Sequence, residues 1–239
     1  MVKRFEAQER NVRNTSCFTE ESFAKLRGIM YETKAEPGSQ LFWEGDKADK
    51  LFYIISGRVK ITKTSDEGRQ FILYMYQDGD LFGQVDPYQD SSQGFNAEVV
   101  EPGTIGIIQK KDLEALLWQN GDLAVEFMKW MGLIHCMTQT KFRDLMMFGK
   151  LGALCSLLIR LFNTYGTPHE QGTLITRKLT NTELADMIGA TRESVNRMLG
   201  DMKNANVIIN ESGYIIVKDI NYLKDICHCE NCPPDICRI

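Results

Sequence analysis

Four of the seven cysteines lie in one short segment, and this segment has the most obvious chemical potential in the chain. It reads Cys227-His228-Cys229-Glu230-Asn231-Cys232-Pro233-Pro234-Asp235-Ile236-Cys237. In a reducing compartment such a group favours a metal or redox role over a disulfide scaffold. The remaining cysteines, Cys17, Cys136 and Cys155, are scattered in apolar or helical contexts, so we expect them to be small buried hydrophobes.

The spacing Cys-x2-Cys-x4-Cys of Cys229, Cys232 and Cys237 leaves three chemistries open. Iron–sulfur clusters take compactly spaced thiolates, whereas zinc takes four tetrahedral ligands, either four cysteines or three with His228. A dithiol enzyme or electron carrier is the third, but no nucleotide-binding glycine loop or βαβ pattern accompanies the cysteines. We therefore expect a metal centre and no enzymatic activity.

A second distinctive segment, Leu179 to Leu199, predicts two helices joined by a turn. Thr180 or Asn181 can cap the first helix, Gly189 ends it, and Thr191 can cap the second. This arrangement is typical of a DNA-binding helix-turn-helix.

The second of these helices separates its polar and apolar residues onto different faces. At about 100° per residue, the polar arc holds Arg192, Glu193, Asn196 and Arg197, and the opposite arc holds Val195, Met198, Leu199 and Met202. Arginine donates two hydrogen bonds to guanine, and glutamate accepts one from cytosine. The residues expected to face DNA are Arg192, Glu193, Ser194, Asn196 and Arg197, with phosphate contacts from Arg177, Lys178 and Lys203. The alternative is an ordinary solvated charged face.

The elements that position these segments also follow from the sequence. Turn signals recur about every 8 to 12 residues over 36–110, between aromatic and β-branched stretches, and predict a β jelly roll. Apolar residues at helical spacing then predict one long helix from about Asp122 to Met147. Its apolar stripe could be core or could pair with a second copy, and we expect a homodimer. Helical stretches from 151 and a hairpin signal over 207–217 predict a winged unit.

Composition excludes several other classes of protein. The chain has 239 residues, of which 43% are hydrophobic and 25% charged, so it is neither disordered nor collagenous. Its formal net charge of −4 argues against a non-specific nucleic-acid coat but permits a local DNA-reading face. We expect a cytoplasmic protein without a membrane partner, because no apolar run is long enough for a span and no signal-peptide core follows Met1.

The order of these elements resembles the Crp/Fnr superfamily of bacterial transcription regulators. That resemblance implies an α+β fold with a cyclic-nucleotide-binding-like jelly roll (1–110), a dimerisation helix (111–150), a winged helix-turn-helix (151–226) and a cysteine-rich tail (227–239). The stretch from Arg192 to Leu199 looks like the family's recognition helix. The resemblance implies a two-fold operator of the form TGTGA-N6-TCACA, read by Arg192, Glu193 and Arg197, and RNA polymerase as a partner.

Cyclic-nucleotide binders of this superfamily hold the ribose with a Gly-Glu-Leu turn and the phosphate with an Arg-Ser or Arg-Thr pair. The matching stretches here read Gly83-Gln84-Val85 and Gly94-Phe95-Asn96-Ala97. Without the arginine, a buried phosphate would lack its counter-charge. We therefore expect no binding of cyclic AMP.

The cysteine-rich tail resembles that of the Bacillus-type Fnr anaerobic regulators, a branch of the superfamily with an oxygen-labile [4Fe-4S] cluster. The resemblance implies Cys229, Cys232 and Cys237 as ligands and an aspartate of the long helix, here Asp144, as the fourth. Cys227 is the alternative fourth ligand, although residues two apart in an extended chain point to opposite sides. Without the resemblance, Asp144 would be taken for an exposed helical acid.

The function implied is an oxygen-sensing regulator of anaerobic genes, such as those of nitrate respiration and fermentation, that binds DNA with its cluster in place. Loss of the cluster is expected to release a flexible tail and to weaken operator binding more than dimerisation. The alternative is a regulator of the same type that responds to another small ligand and has a structural zinc tail.

Overall fold

The computed structural model describes residues 12–84 and 91–239, which fall into two compact units: residues 13–135 form the first, and residues 136–239 belong to the second. The helices are α1 (Glu20–Arg27), α2 (Lys110–Gln119), α3 (Gly121–Met147), α4 (Gly149–Tyr165), α5 (Asn181–Ile188), α6 (Arg192–Asn204) and α7 (Ile220–Ile226). The strands are β1 (Tyr31–Ala35), β2 (Gln40–Phe42), β3 (Lys50–Thr64), β4 (Gln70–Gln77), β5 (Leu81–Phe82), β6 (Asn96–Gln109), β7 (Gly166–His169), β8 (Gly172–Ile175), β9 (Ile208–Glu211) and β10 (Tyr214–Val217).

The first unit is built on an antiparallel sheet in the order β1-β6-β3-β4, with β2 paired to β6 and β5 to β3. Five buried aromatic rings follow one another through its interior, with centroids 5.2 to 5.4 Å apart; they belong to Phe42, Phe52, Phe82, Tyr76 and Tyr74. Each aromatic side chain buries a large apolar area, so these rings are a major part of the core of the sheet. The antiparallel β architecture predicted from the turn spacing is therefore confirmed.

Helices cover one end of this sheet. Apolar residues of α1, α2 and the first half of α3 pack with the strands in one cluster that includes Phe23, Leu113, Leu123 and Trp130. Thr19 caps α1, and its backbone amide donates to Glu126 Oε2 at 3.0 Å. Burial alone would raise the pKa of Glu126, but the hydrogen bonds from Thr19 and Ser22 outweigh it, so the pKa lies below its usual value.

The second unit has the buried helix α4 at its centre and a four-stranded sheet in the order β7-β8-β10-β9. The predicted hairpin is formed by β9 and β10, which pair from Tyr214 opposite Glu211 to Val217 opposite Ile208. Helix α3 begins one residue before the predicted start, and it contains the boundary between the two units. The four-part division made from the sequence remains a prediction. Among the described residues, no helix is long and apolar enough to cross a membrane.

Candidate DNA-reading face and metal centre

The turn between α5 and α6 is fixed by local capping. Thr180 and Glu183 form a reciprocal capping box at the start of α5, and Gly189 ends that helix in the left-handed region with φ of 57°. The side chain of Thr191 then accepts from the Ser194 amide at 3.2 Å and starts α6. These are the caps that the residue types predicted.

Helix α6 separates its residues as predicted. Its buried side chains are Val195, Met198, Leu199 and Met202, whereas those of Arg192, Glu193, Asn196 and Arg197 are exposed. Two of the five expected DNA-reading residues have protein partners, since Ser194 Oγ lies 3.1 Å from Thr191 Oγ1 and Asn181 donates to Asn196 Oδ1 at 3.1 Å. Ser194 is half-buried, whereas Asn196 stays exposed beside the two arginines and Glu193.

Sequence reasoning missed a lysine that supports this turn. Lys150, near the start of α4, donates to the carbonyls of Ile188 (3.4 Å) and Gly189 at the end of α5. Carbonyls at a helix end carry partial negative charge, so the ammonium group stabilises this end. The two residues lie 38 and 39 positions away, and no local pattern connects them.

The cysteine-rich segment does not begin as an extended chain. Cys227 is the C-cap of α7, and His228 adopts a positive φ of 45°, so the backbone turns here. The argument against Cys227 from an extended chain is therefore wrong, because a helix end precedes Cys229. Cys227 is also buried, with 2% of its surface exposed. Burial, followed by the neighbouring Cys229 and Asp144, raises the pKa of Cys227 to about 11.

The tail packs on α4 and is not free, contrary to the flexible segment expected from the sequence. Asn163 Nδ2 donates to the Cys237 carbonyl at 2.8 Å, and the Ile239 amide donates to Thr164 Oγ1 at 3.2 Å. Cys237 and Ile239 are both buried. These bonds join side chains of α4 to the backbone of the tail. The spacing of the cysteines gave no sign of them.

Asp144 is a buried acid, with only 3% of its surface exposed, and not the exposed helical acid considered as its alternative. Arg143 donates to its Oδ1 through Nη2 at 2.8 Å and Nε at 3.1 Å. Arg160 Nη2 donates to Oδ2 at 2.9 Å, and the Ser156 hydroxyl donates to the same oxygen. The carboxylate is thus fully hydrogen-bonded, as a buried charge requires. Arg160 and Ser156 lie on the next helix, and sequence reasoning did not find them.

The thiols near Asp144 differ in exposure. Cys229 and Cys232 are partly exposed, whereas Cys237 is buried, and burial raises its pKa. Cys155, on α4, is fully buried; burial and then the neighbouring Cys227 raise its pKa to about 12. The expectation that all three scattered cysteines are buried holds for Cys155, but Cys17 and Cys136 are partly exposed.

The chemistry of these donors fits an iron–sulfur cluster, although their present spacing does not form a closed cage. Within residues 12–84 and 91–239, no three Cys, His, Asp or Glu side chains are grouped closely enough to hold a metal ion. The fitting features are the three thiols within one short segment and the Asn231 amide, which donates to Cys229 Sγ at 3.4 Å. Hydrogen bonds to ligand sulfurs are typical of such clusters. Ligation by Asp144 requires that one of its present hydrogen-bond donors give way.

The region that would hold a cyclic nucleotide is partly described. Gly83 and Gln84 follow β5, and Val85 lies outside the described residues. In the second stretch, the Gly94 carbonyl accepts from Lys63 Nζ at 3.0 Å and Asn96 Oδ1 accepts from the Glu44 amide at 2.8 Å. The expectation that cyclic AMP does not bind stays a prediction.

Comparison with known proteins identifies the two domains of this chain. A cyclic nucleotide-binding domain model matches residues 32–120, and a Crp-like helix-turn-helix domain model matches residues 152–226. Over 216 residues the chain is 44% identical to the anaerobic regulatory protein of Bacillus subtilis. The matched residues make up 90% of this chain and 91% of that protein. It is 25% identical over 182 residues to the CRP-like cAMP-activated global transcriptional regulator of Mycobacterium tuberculosis, covering 76% and 81% of the two chains.

Among solved structures, a mutant of CooA from Carboxydothermus hydrogenoformans superposes with a TM-score of 0.73 at 20% identity, over 84% of this chain and 89% of that one. This likeness supports the fold alone. Regulators of this kind bind DNA and act as dimers. The sequence relatives are transcription regulators and not enzymes, which confirms that expectation. The chain belongs to the Crp/Fnr family and is a DNA-binding transcription regulator of that type.

Proposed function

We propose that this protein is a cytoplasmic, oxygen-responsive regulator of anaerobic genes that carries a [4Fe-4S] cluster in its tail. Cys229, Cys232, Cys237 and Asp144 would hold the cluster, with Cys227 as the alternative fourth ligand. When bound, the cluster supplies a redox centre that oxygen degrades. The name of the Bacillus subtilis relative, an anaerobic regulatory protein, supports this proposal.

One observation carries the proposal: Arg143 contacts both Asp144 and Glu230. Glu230 stands between Cys229 and Cys232, so the helical aspartate and the first two thiols belong to one neighbourhood. A buried carboxylate near closely spaced cysteines is a donor set for iron, since iron sites accept both sulfur and oxygen ligands.

Pairing of two copies of the protein along α3 would link the proposed metal site to DNA binding. The helix exposes one stripe at alternating intervals of three and four residues: Val125, Met128, Gly132, His135, Gln139, Phe142 and Met146. Met128 and Phe142 are 63% and 65% exposed. A seven-residue repeat of this kind is the pattern of paired helices. Asp144 lies on the same helix as the stripe, so a change in its partners would act on the element that joins two DNA-binding units.

The recognition helix would read a TGTGA-N6-TCACA-like operator, with Arg192, Glu193 and Arg197 on base edges and Ser194 and Asn196 nearby. Two-fold pairing of the protein requires two half-sites about one helical turn apart. RNA polymerase is the expected partner at promoters. The jelly roll is not proposed to bind cyclic AMP, because the stretches Gly83-Gln84-Val85 and Gly94-Phe95-Asn96-Ala97 supply no arginine for its phosphate.

The test is to purify the protein under strict anoxia and to measure iron and acid-labile sulfide per chain while following the visible spectrum as air is admitted. We expect about four of each per chain, as a [4Fe-4S] cluster contains, and a colour that bleaches in air. Zinc without sulfide would contradict the proposal. It would support a structural tail and a small-ligand sensor in the barrel instead.

A further inference from the structure

The ion pair between Arg143 and Glu230 ties the long helix to the first part of the tail. Arg143 is one-fifth exposed, and its guanidinium also lies 5.8 Å from the centre of the Phe148 ring. Burial would lower the pKa of Arg143, but the hydrogen bonds and charges of Asp144 and Glu230 outweigh it, so the pKa lies above its usual value. Every contact in this set is between protein groups, so none of them requires a metal.

A second arginine ties the same carboxylate to the end of the tail. Arg160 is 5% exposed and donates to Asp144 Oδ2 through Nη2 and to the Ile236 carbonyl through Nη1, at 2.9 and 3.2 Å. Ile236 directly precedes Cys237. One planar guanidinium therefore holds the helical aspartate and the backbone beside the third cysteine in a fixed relation.

Main-chain bonds then complete the docking of the last residues. Asn163 and Thr164 lie three and four positions after Arg160 on α4, so all three side chains project from one face of that helix. Each of them bonds to the backbone of the tail. Within the tail, the amides of Ile236 and Cys237 donate to the Pro233 carbonyl at 3.0 and 2.8 Å, which forms a tight turn.

We propose that Arg143, Arg160 and Asn163 are positioning residues that keep the tail docked beside Asp144 whether or not a metal is bound. The consequence for sensing, which rests on the proposed function, is that the cysteines are held near Asp144 before iron arrives. Loss of the cluster would then leave Asp144 with Arg143, Arg160 and Ser156 as its partners. The tail stays docked when the cluster is lost, in contrast to the release expected from the sequence.

Hydrogen–deuterium exchange on the full-length protein tests this directly. The protein is treated with a chelator under anoxia until iron is no longer detected, and exchange is followed for the amides of Ile236, Cys237 and Ile239. Docking predicts exchange at least ~10-fold slower than in an unstructured peptide of the same sequence. Asn163→Leu removes the donor to Cys237 and should accelerate these amides by a similar factor, whereas Asn204→Leu, at the exposed end of α6, should leave them unchanged.

A second variant keeps the test decisive if Asn163→Leu misfolds. Glu230→Gln preserves side-chain size at an exposed position and removes the ion pair with Arg143, so the amides of Cys229 and Asn231 should exchange about 2- to 5-fold faster, as expected for a weak surface pair. Unprotected tail amides in the iron-free wild type would overturn the docking proposal. If that protein still takes up iron and sulfide, the proposed function stands; if the tail is protected but no cluster forms, only the proposed function fails.

Discussion

Arg160 Nη2 donates to Asp144 Oδ2 at 2.9 Å, and both residues are at least 95% buried. A buried charge that loses its partner is costly, because the interior cannot solvate it as water does. Asp144→Asn keeps the size of the side chain but leaves Arg160 without its counter-charge. We expect it to lower the free energy of unfolding of the iron-free protein by about 3 to 5 kcal/mol, measured by urea denaturation.

Glu230→Gln is the matched control for this loss, since it also converts an acid to an amide beside an arginine. Glu230 is 66% exposed, so its pair with Arg143 should contribute less than about 1 kcal/mol. Equal destabilisation by the two variants would mean that burial does not set the strength of these two ion pairs.

Cys232→Ser tests the thiol ligands. Serine is a poor ligand for iron–sulfur clusters, so the variant should contain far less iron and sulfide than the wild type and show no air-sensitive colour. Cys136→Ser makes the same change at a partly exposed cysteine of α3 outside the tail and should retain both. Full iron content in Cys232→Ser would remove this residue from the ligand set.

The sequence was sufficient for elements whose signals are local. Thr180, Gly189 and Thr191 mark the ends of α5 and α6 because capping involves residues only three or four positions apart. Aromatic and β-branched stretches between turns likewise located the sheet. The surroundings of Asp144 were not predictable in this way, because Ser156 and Arg160 lie 12 and 16 positions further along the chain and reach it only in the folded protein.

The contacts of the tail were likewise not predictable from the sequence. Cysteine spacing predicted a metal centre but gave no sign that Asn163 and Thr164 bind the tail through its backbone. Every residue of the tail has a backbone carbonyl, so bonds to backbone atoms leave no pattern in the residue types of the tail. The helix end at Cys227 was also missed, because α7 has only seven residues and little periodicity.

Base recognition can be separated from phosphate binding with two variants of the DNA-reading unit. Arg192→Ala should lose about 1 to 3 kcal/mol of operator affinity and tolerate replacement of one guanine of the half-site, because a bidentate contact to that base is removed. Lys203→Ala should weaken binding to all sequences alike and lower the salt dependence by about one unit. Fluorescence anisotropy on operators changed one base pair at a time measures both. Uniform weakening by Arg192→Ala would place that residue on the phosphate backbone.

The α3 stripe predicts how the protein dimerises. Phe142→Glu introduces a charge at an exposed apolar position of the stripe and should shift the protein towards monomers in sedimentation velocity. Lys111→Glu introduces the same side chain at an exposed position of α2, outside the stripe, and should leave the dimer intact. Because the stripe contains no proposed cluster ligand, wild-type dimers should persist when iron is removed. Monomers that form only in the iron-free wild type would contradict this mechanism.

The most direct test of oxygen sensing is the operator affinity of one protein preparation before and after exposure to air, with iron and sulfide measured in the same samples. Anaerobic protein should bind a TGTGA-N6-TCACA operator about 5- to 150-fold more tightly than the air-exposed dimer, which corresponds to a coupling of about 1 to 3 kcal/mol. Cys232→Ser should bind weakly under both conditions. Equal affinity of the anaerobic and air-exposed wild type, with the cluster lost on exposure, would contradict control of DNA binding by the cluster.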